Sequence, residues 1–340
     1  MKILLVGALS DDPSVYTYAQ SFEWALRDVG FTVETFNYRK QRLPQFFESV
    51  STHLMNRSLI KTAQKFKPDT IFLLKAESVF AATIAQLKKQ LSCRIINFYP
   101  DNPFTIWNGN SNTEVLKSLP LLDCFLSWST MLAPALTSAG CHHVCSFPFA
   151  YDEKIFDPAL EFQPATLVPY ASDVCFVGTW EPERETWLVY LIQQLPQLDL
   201  AIWGNLWKEK CSNQTVKKHV RGNALYNQEM IKAFRAAKIV LNFIRTQNMT
   251  AHNMRTFEVP ASNAFLLTEY TNEQANIFFT ERESVVCFKN RDELVNNVTF
   301  YMQHPDKRMH ITQKSNDIVK AFALTKQLKN YFKNCRIFNP

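Results

Sequence analysis

The sequence contains only seven glycines in 340 residues, and this scarcity excludes two common classes of nucleotide-binding protein. Neither the G-x-G-x-x-G pattern of dinucleotide-binding domains nor the G-x-x-x-x-G-K-[ST] pattern of phosphate-binding loops occurs in it. Four of the glycines nevertheless follow short apolar segments of strand length: Gly7, Gly178, Gly204 and Gly222. Glycine at the carboxyl end of a parallel strand permits a sharp turn or a close approach of the backbone to a ligand.

Long apolar runs and clustered positive charge are missing as well. No run reaches the roughly 18 apolar residues of a membrane-spanning helix. The apolar start of the chain is also too short for a signal peptide, because Asp11 and Asp12 follow it. The net charge of +6 is spread along the sequence. It favours an anionic ligand and permits peripheral contact with an anionic membrane, but it does not indicate nucleic-acid binding.

The eight cysteines are scattered and lie mostly in apolar, strand-like segments. This distribution predicts reduced, buried thiols in a cytoplasmic protein. The segment 141–145, Cys-His-His-Val-Cys, contains residue types that bind metals. Its spacing differs from C-x₂-C, no second ligand pair lies nearby, and a strand would send its side chains to opposite faces. We therefore predict no metal site.

Strand-like and helix-like segments alternate along the chain, which predicts βαβ units and parallel sheets with helices on both faces. The alternation covers 1–150, stops in a proline-containing stretch at 151–170 and resumes over 171–315. We predict two doubly wound, Rossmann-like α/β domains that face each other across a cleft. A helix over 316–340 is expected to cross back to the first domain. The predicted strands include 216–220 and 264–267.

Several polar side chains of the N-terminal domain follow predicted strands. Asp101 stands between two prolines that fix its loop, which would suit a general base, although the sequence favours a turn-capping role for it. The further candidate bases are Asp11, Asp12 and Glu77. The aromatic residues that could stack on an acceptor, or simply form core, are Tyr16, Tyr18, Trp24, Phe104 and Trp107.

The stretch 253–269 predicts a short helix, a turn at Ser262-Asn263 and a buried strand. Arg255 and Glu258 lie three residues apart and share one helical face. Taken alone they could form a surface ion pair worth about 0.3–0.5 kcal/mol. Arg184 and Arg245 are expected at the same sheet edge, and arginines donate well to phosphate, whereas a carboxylate accepts hydrogen bonds from a ribose diol. The combination suggests a nucleoside diphosphate.

Several segments of the second half carry a family resemblance. They are 173–180 with Arg184, 200–204 with Trp207, 239–243, 253–261, and His304-Pro305 with Arg308, preceded by the linker 151–158. These segments resemble the glycosyltransferases of GT-B fold that are related to the spore maturation protein CgeB family. The resemblance extends from about 122 to 331, and before that it rests on architecture and on the residues 101–103.

The resemblance implies that the C-terminal domain binds a nucleotide-diphosphate sugar, with a UDP-sugar as the first choice, and that the N-terminal domain binds the acceptor. The acceptor is a protein, a glycan or a lipid-linked molecule. Arg184 and Arg255 would face the diphosphate, Glu258 the ribose, and the backbone of 220–226 the base. The nucleotide-binding residues implied are Gly178, Trp180, Arg184, Gly204, Tyr226, Arg245, Asn253, Arg255 and Glu258. No metal or other cofactor is expected, because arginines and helix dipoles stabilise the departing diphosphate.

One departure from the family pattern leaves the stereochemistry open. Related retaining enzymes often have an E-x₇-E pair, but Thr250 stands eight residues before Glu258. An inverting reaction would need a base, for which Asp101 is the first candidate. Two alternatives to sugar transfer therefore remain. They are a GT-B-shaped binding or scaffold protein without turnover, and a nucleotide-sugar epimerase on the same fold.

Overall fold

The computed structural model describes residues 1–10, 16–40, 48–105, 112–248, 250–335 and 337–338. The chain divides into two compact units. The N-terminal unit contains Met1–Phe149 together with Leu324–Pro340, and the C-terminal unit contains Ala150–Ala323. Each unit has one six-stranded sheet whose paired strands are parallel. The predicted α/β class is therefore confirmed. Three residues that the sequence analysis named as candidates lie outside the described residues: Asp11, Asp12 and Trp107.

The sheet of the N-terminal unit has the order β2-β1-β3-β4-β5-β6. Its strands are β1 (Lys2–Gly7), β2 (Thr32–Asn37), β3 (Thr70–Leu74), β4 (Arg94–Phe98), β5 (Cys124–Ser127) and β6 (Val144–Ser146). The helices between them are α1 (Tyr18–Asp28), α2 (Glu48–Phe66), α3 (Ala81–Gln90), α4 (Thr113–Ser118) and α5 (Ala133–Ser138). A capping box of Thr17 and Gln20 fixes the start of α1. Every residue of β3 is buried, as expected for a central parallel strand.

The sheet of the C-terminal unit has the order β12-β11-β10-β7-β8-β9. Its strands are β7 (Ser172–Val177), β8 (Leu200–Trp203), β9 (Val220–Gly222), β10 (Ala237–Asn242), β11 (Leu266–Glu269) and β12 (Val286–Phe288). Its helices are α6 (Pro164–Leu167), α7 (Pro182–Gln194), α8 (Trp207–Lys210), α9 (Gln214–Lys218), α10 (Asn227–Ala236), α11 (Arg255–Ala261), α12 (Arg291–Gln303) and α13 (Pro305–Val319). Strand order reverses between β7 and β10, and ligands of doubly wound folds bind at such a switch point.

Two predicted strands differ from the observed elements. The strand predicted at 216–220 begins only at Val220, because Asn213 accepts hydrogen bonds from the backbone N–H groups of Thr215 and Val216 and so starts α9 before it. The strand predicted at 264–267 begins at Leu266 and continues to Glu269. It starts late because Asn263 adopts φ 57°, the left-handed conformation that ends many helices. The turn predicted at Ser262-Asn263 is present.

The segment 316–340 is not one helix in its described part. Helix α13 ends at Val319, a 3₁₀ turn spans Lys320–Phe322, and α14 occupies Leu324–Asn334. The break is at Ala323, whose extended backbone (φ −58°, ψ 136°) forms a bridge with Tyr151. Helix α14 belongs to the N-terminal unit and packs on α1. Within the described ranges, no helix is both long and apolar enough to cross a lipid bilayer.

Candidate functional site

Three arginines gather at the switch point of the C-terminal sheet. Arg184 lies in the first turn of α7, which follows β7, and Arg245 follows β10. Arg255 is the first residue of α11, and its Nε donates to the carbonyl oxygen of Val177 at the end of β7, at 3.4 Å. The three guanidinium groups are close enough that Arg245 and Arg255 both lower the pKa of Arg184. The structure therefore brings together the three arginines that the sequence placed at one sheet edge.

Arg184 is the most deeply buried of these groups. Only 7% of the residue is exposed, its Nη1 donates to the carbonyl oxygen of Thr179 at 2.7 Å, and its guanidinium lies 5.6 Å from the centre of the Phe176 ring. Burial is the largest cause that lowers its pKa, to about 10, while Glu181 and Glu269 act in the opposite direction. A cation held away from solvent interacts strongly with any anion that reaches it.

Glu181 links two of the arginines. Its Oε2 lies 3.2 Å from Nε of Arg184, and its Oε1 lies 2.6 Å from Nε of Arg245. Glu269, at the end of β11, accepts a hydrogen bond from the backbone N–H of Ile244 at 2.9 Å. Burial raises the pKa of Glu269, an effect that the nearby Arg184 opposes. Sequence reasoning missed both glutamates, although Glu181 stands only three residues before Arg184.

Arg255 and Glu258 form an ion pair in the structure, with Nη1 of Arg255 donating to Oε2 of Glu258. The pair is asymmetric, because the Glu258 side chain is 3% exposed and the Arg255 side chain 25%. The guanidinium of Arg255 also lies 5.8 Å from the centre of the Phe234 ring. The carboxylate is thus fixed inside the unit, and the arginine has access to solvent.

A network of polar side chains, which the sequence did not reveal, holds the start of α11 in place. The side-chain amides of Asn253 and Asn242 hydrogen-bond reciprocally, at 2.9 and 3.2 Å, and Asn253 also donates to the carbonyl oxygen of Phe243. Asn242 continues to Thr268 at 3.0 Å, and Gln274 accepts from Thr268 at 3.1 Å. These contacts anchor the loop before α11 to β10 and β11. The sequence signal that could have indicated this network is the presence of polar residues at the carboxyl ends of apolar strands.

The predicted glycines pack against each other. A Cβ added to Gly204 would lie 1.9 Å from the carbonyl oxygen of Gly178, so only glycine fits there. The same oxygen accepts a hydrogen bond from Nε1 of Trp207 at 2.7 Å. Trp180 is also held, because its Nε1 donates to Oε2 of Glu185 at 2.6 Å. These residues shape the loops beside the arginines, and their contact with a ligand stays a prediction.

Tyr226 lies at the N-terminal end of α10, past β9, and is 51% exposed. This position at the carboxyl edge of the sheet leaves its ring accessible. Its predicted contact with a nucleotide is not tested by these contacts.

The candidate bases of the N-terminal unit follow its strands. Asp101 follows β4, and its Oδ2 lies 2.8 Å from Nζ of Lys75. Glu77 accepts hydrogen bonds from the Tyr38 hydroxyl and from Arg39, both at 2.5 Å, and the polar partners lower its pKa although burial, the largest single influence, raises it. Lys75 and Ala76 both have positive φ, at 62° and 54°, a strained backbone that often accompanies functional sites.

The aromatic side chains of this unit differ in exposure. Tyr16 and Phe104 are each 40% exposed, and Tyr16 packs edge-on against Trp24 at 4.9 Å. Tyr18 packs on Phe22 in the interior, with ring centres 5.0 Å apart. Of the described candidates, Tyr16 and Phe104 are therefore the most accessible to an acceptor.

A family model matches part of the second half of the chain. Residues 184–328 match the model of a family described as glycosyl transferase-like. This segment starts at Arg184 and includes Arg245 and the whole of α11. No curated protein matches the sequence.

Solved structures resemble the chain over almost its whole length. Sucrose-phosphate synthase from Thermosynechococcus elongatus is similar with a TM-score of 0.73 and 13% identity, covering 99% of each chain. A glycosyltransferase from Rickettsia africae follows with a TM-score of 0.70 and 13% identity, covering 99% of this chain and 97% of the other. HepE from Anabaena, solved with UDP, has a TM-score of 0.64 and 13% identity, covering 99% of this chain and 100% of its own.

At 13% identity these likenesses establish the fold, which is that of the GT-B glycosyltransferases. The family match covers less than half of the chain and likens residues 184–328 to glycosyl transferases. The chain thus has the GT-B fold, and its residues 184–328 are similar to the glycosyl transferase-like family.

Proposed function

We propose that the chain transfers a sugar from a nucleoside diphosphate sugar, with a UDP-sugar as the first choice, to an acceptor bound by the N-terminal unit. The observation that carries this proposal is the cluster of Arg184, Arg245 and Arg255 at the switch point of the C-terminal sheet. The structural neighbour HepE has been solved with UDP and with UDP-glucose, which supports a nucleotide sugar as the donor.

The arginines would act on the diphosphate. When the bond to the sugar breaks, negative charge grows on the departing diphosphate, and preorganised cations lower the energy of that state. Arg184 and Arg255 are the proposed catalytic pair, since Arg184 is buried and Arg255 is partly accessible. The first turn of α7 adds a positive helix end beside them.

Glu258 would bind the ribose. Its carboxylate can accept hydrogen bonds from two neighbouring hydroxyls, and burial of its side chain fixes its direction. Arg255 now holds that carboxylate, so binding a nucleotide would turn the arginine toward phosphate and leave the glutamate for the ribose. The backbone of 220–226 and the exposed ring of Tyr226 would lie against the base.

The transfer would need no bound metal ion and no other cofactor. Three guanidinium groups and a helix end supply the positive charge that a divalent cation gives in other enzymes. Activity that persists unchanged in excess EDTA supports this part of the proposal. Loss of activity in EDTA and recovery with Mg²⁺ or Mn²⁺ contradicts it.

The acceptor side of the proposal rests on residues of the N-terminal unit. Asp101, held by Lys75 at 2.8 Å, is the proposed base of an inverting reaction, and the acceptor is a protein, a glycan or a lipid-linked molecule. We also infer a cytoplasmic location, because all eight cysteines are free thiols. Membership in the CgeB-related group belongs to the same proposal and rests on the segments quoted above.

A non-catalytic role in binding a nucleotide sugar is the second candidate. Two observations favour it: Thr250 stands where related retaining enzymes have a glutamate, and each of the three arginines pairs with a carboxylate. The two candidates agree on binding and differ in turnover.

Calorimetry and product analysis test both candidates. Isothermal titration with UDP, GDP and dTDP, and with their sugars, measures donor binding by the folded chain. Absence of binding by all of them contradicts both candidates. Transfer or hydrolysis above a Glu258→Ala control establishes the enzyme, whereas binding without turnover of any donor favours the second candidate. NMR of the products without an acceptor separates an epimerase from either.

A further inference from the structure

Three cysteines that are far apart in the sequence meet in the N-terminal unit. Cys124 begins β5, Cys145 lies in the neighbouring strand β6, and Cys335 follows α14 directly. The Sγ atoms of Cys124 and Cys145 are 3.1 Å apart, and those of Cys145 and Cys335 are 3.7 Å apart. All three sulfurs lie within 4.8 Å of one another, so the sheet and the last helix bring them to one point.

The spacing of the sulfurs suits a metal ion. A zinc–sulfur bond is about 2.3 Å long, so two sulfurs at tetrahedral positions around one zinc ion are about 3.8 Å apart. The separation of 3.7 Å between Cys145 and Cys335 is close to that value, and the separation of 3.1 Å between Cys124 and Cys145 is shorter. They are also well above the roughly 2.05 Å of a disulfide, and the three residues are free thiols.

A fourth polar group faces the same point. Tyr331, in α14, is only 8% exposed, and its hydroxyl has no hydrogen-bond partner of ordinary geometry among the described residues. It interacts with the sulfurs of Cys124 and Cys335, and these thiols, after burial, raise the pKa of Tyr331. The rings of Phe147 and Phe338 pack against Tyr331 at 6.1 and 5.8 Å and complete an aromatic cover.

The thiols of the cluster do not ionise equally. Cys124 and Cys335 can both donate to the sulfur of Cys145, and this lowers the pKa of Cys145 to about 6. The same contact raises the pKa of Cys124. A bound divalent cation would displace the protons of its thiol ligands, so the three neighbouring sulfurs would bind it as thiolates.

We propose that Cys124, Cys145 and Cys335 bind one thiophilic divalent cation, with Zn²⁺ as the first choice and the Tyr331 hydroxyl as the candidate fourth ligand. A divalent ion is preferred to Cu⁺ because three thiolates then leave one net negative charge in the interior instead of two. The ion would join the end of α14 to β5 and β6. It lies in a different unit from the arginine cluster, so its role would be structural.

This ligand set is not the one that the segment 141–145 suggested. His142 and His143 are exposed, and neither belongs to the group of sulfurs. Only Cys145 is shared between the two sets. Cys335 is contributed from the far end of the chain, which is why spacing rules did not find the cluster.

Metal titration of the full chain tests the proposal. The protein is reduced with a phosphine, freed of metal by a chelator, and titrated with Zn²⁺ in competition with a chromophoric chelator. We expect one equivalent to bind. Co²⁺ used as a probe should then give the visible absorption of a tetrahedral thiolate complex and be displaced by Zn²⁺.

Variants separate a site from adventitious thiol binding. Cys145→Ser should weaken Zn²⁺ binding at least about 100-fold, since even groups outside the ligand shell change affinity 10–100-fold. Cys93→Ser, which removes a cysteine of the same unit outside the cluster, should bind like the wild type. Tyr331→Phe keeps the packing and serves if Cys145→Ser fails to fold, and we expect it to bind Zn²⁺ about tenfold more weakly.

Three outcomes overturn the proposal. The first is that the reduced wild-type chain binds no Zn²⁺, whether or not it forms a Cys145–Cys335 disulfide when it is later exposed to air. The second is that Cys145→Ser and Cys93→Ser bind Zn²⁺ equally. The third is that Cys145→Ser misfolds while Tyr331→Phe binds Zn²⁺ and Co²⁺ exactly as the wild type does.

Discussion

Glu181 and Arg245 form an ion pair in which Oε1 and Nε are 2.6 Å apart, and the second carboxylate oxygen of Glu181 lies 3.2 Å from Arg184. The glutamate therefore stands between two of the three arginines proposed to bind phosphate. A diphosphate that contacts both guanidinium groups must replace this carboxylate. Under the proposed function, Glu181 would compete with the donor for the same cations, and its charge would lower the binding affinity.

We predict that Glu181→Gln binds UDP more tightly. The substitution keeps the shape of the side chain and removes the competing charge, so affinity should rise by up to about tenfold, which corresponds to 1.4 kcal/mol. Isothermal titration measures the change. Glu183→Gln is the matched control, because it removes the same charge from an exposed position in the same helical turn and should change little. If Glu181→Gln binds UDP more weakly than the wild type and Glu183→Gln does not, then Glu181 supports nucleotide binding.

The contact between Glu258 and ribose predicts a dependence on the sugar hydroxyls. Glu258→Gln should lose about 1–3 kcal/mol of UDP binding, the worth of hydrogen bonds to a charged acceptor. The loss should disappear with 2′,3′-dideoxyuridine diphosphate, which has no hydroxyls to offer. Titration of the wild type and of Glu258→Gln with UDP and with the dideoxy analogue completes a thermodynamic cycle. An equal loss with both ligands would mean that Glu258 acts through Arg255, its partner in the structure.

The fold was predictable because its signals are local. Apolar segments of strand length alternate with helical ones, and a parallel sheet hides both faces of its strands, so the pattern identifies the class. Where the prediction of a strand failed, a single polar contact determined the local structure. The β-branched residues of 216–220 suggested a strand, but the capping side chain of Asn213 started a helix.

The site was predictable only to the level of the sheet edge. Arginines after β7 and β10 had to meet once the strands were parallel and adjacent. Which carboxylate pairs with which arginine depends on side-chain geometry, so the bridging position of Glu181 was missed. The reciprocal amides of Asn242 and Asn253 were missed for the same reason.

The buried histidine of the C-terminal unit predicts a pH dependence of stability. His252 is fully buried, and its Nδ1 lies 2.8 Å from Oε2 of Glu273. Burial lowers the pKa of His252 below its ordinary 6.5, against the opposing effect of Glu273. The unfolded chain therefore binds the proton first as pH falls through 6.5. Stability should decrease below this pH by up to about 1.4 kcal/mol per unit, until the folded pKa is reached.

Urea unfolding between pH 7.5 and 5 measures this slope. The carboxyls with lowered pKa, Glu77, Glu114 and Glu185, lose their contribution only below 4.5, so they do not affect the window. His252→Gln keeps a donor for Glu273 and has no titrating group, and its slope from 6.5 to 5 should be flatter. An unchanged slope in this variant would assign the pH dependence to other groups.

The contact between Gly204 and Gly178 predicts a large cost for one methyl group. A Cβ at Gly204 would lie 1.9 Å from the oxygen of Gly178 and 2.6 Å from its carbonyl carbon, so backbone must move at the ends of β7 and β8. We expect Gly204→Ala to lose about 3 kcal/mol of stability, the upper end of the usual cost of overpacking.

Gly30→Ala is the control, because a Cβ there meets nothing within 4 Å and only the positive φ of 100° opposes it, at about 1–2 kcal/mol. Urea midpoints measure both, and UDP titration should show weaker binding only for Gly204→Ala, since the same loops flank the arginines. Equal losses of stability in the two variants would mean that the loop yields to the methyl group, and that Gly204 is retained for reasons other than this contact.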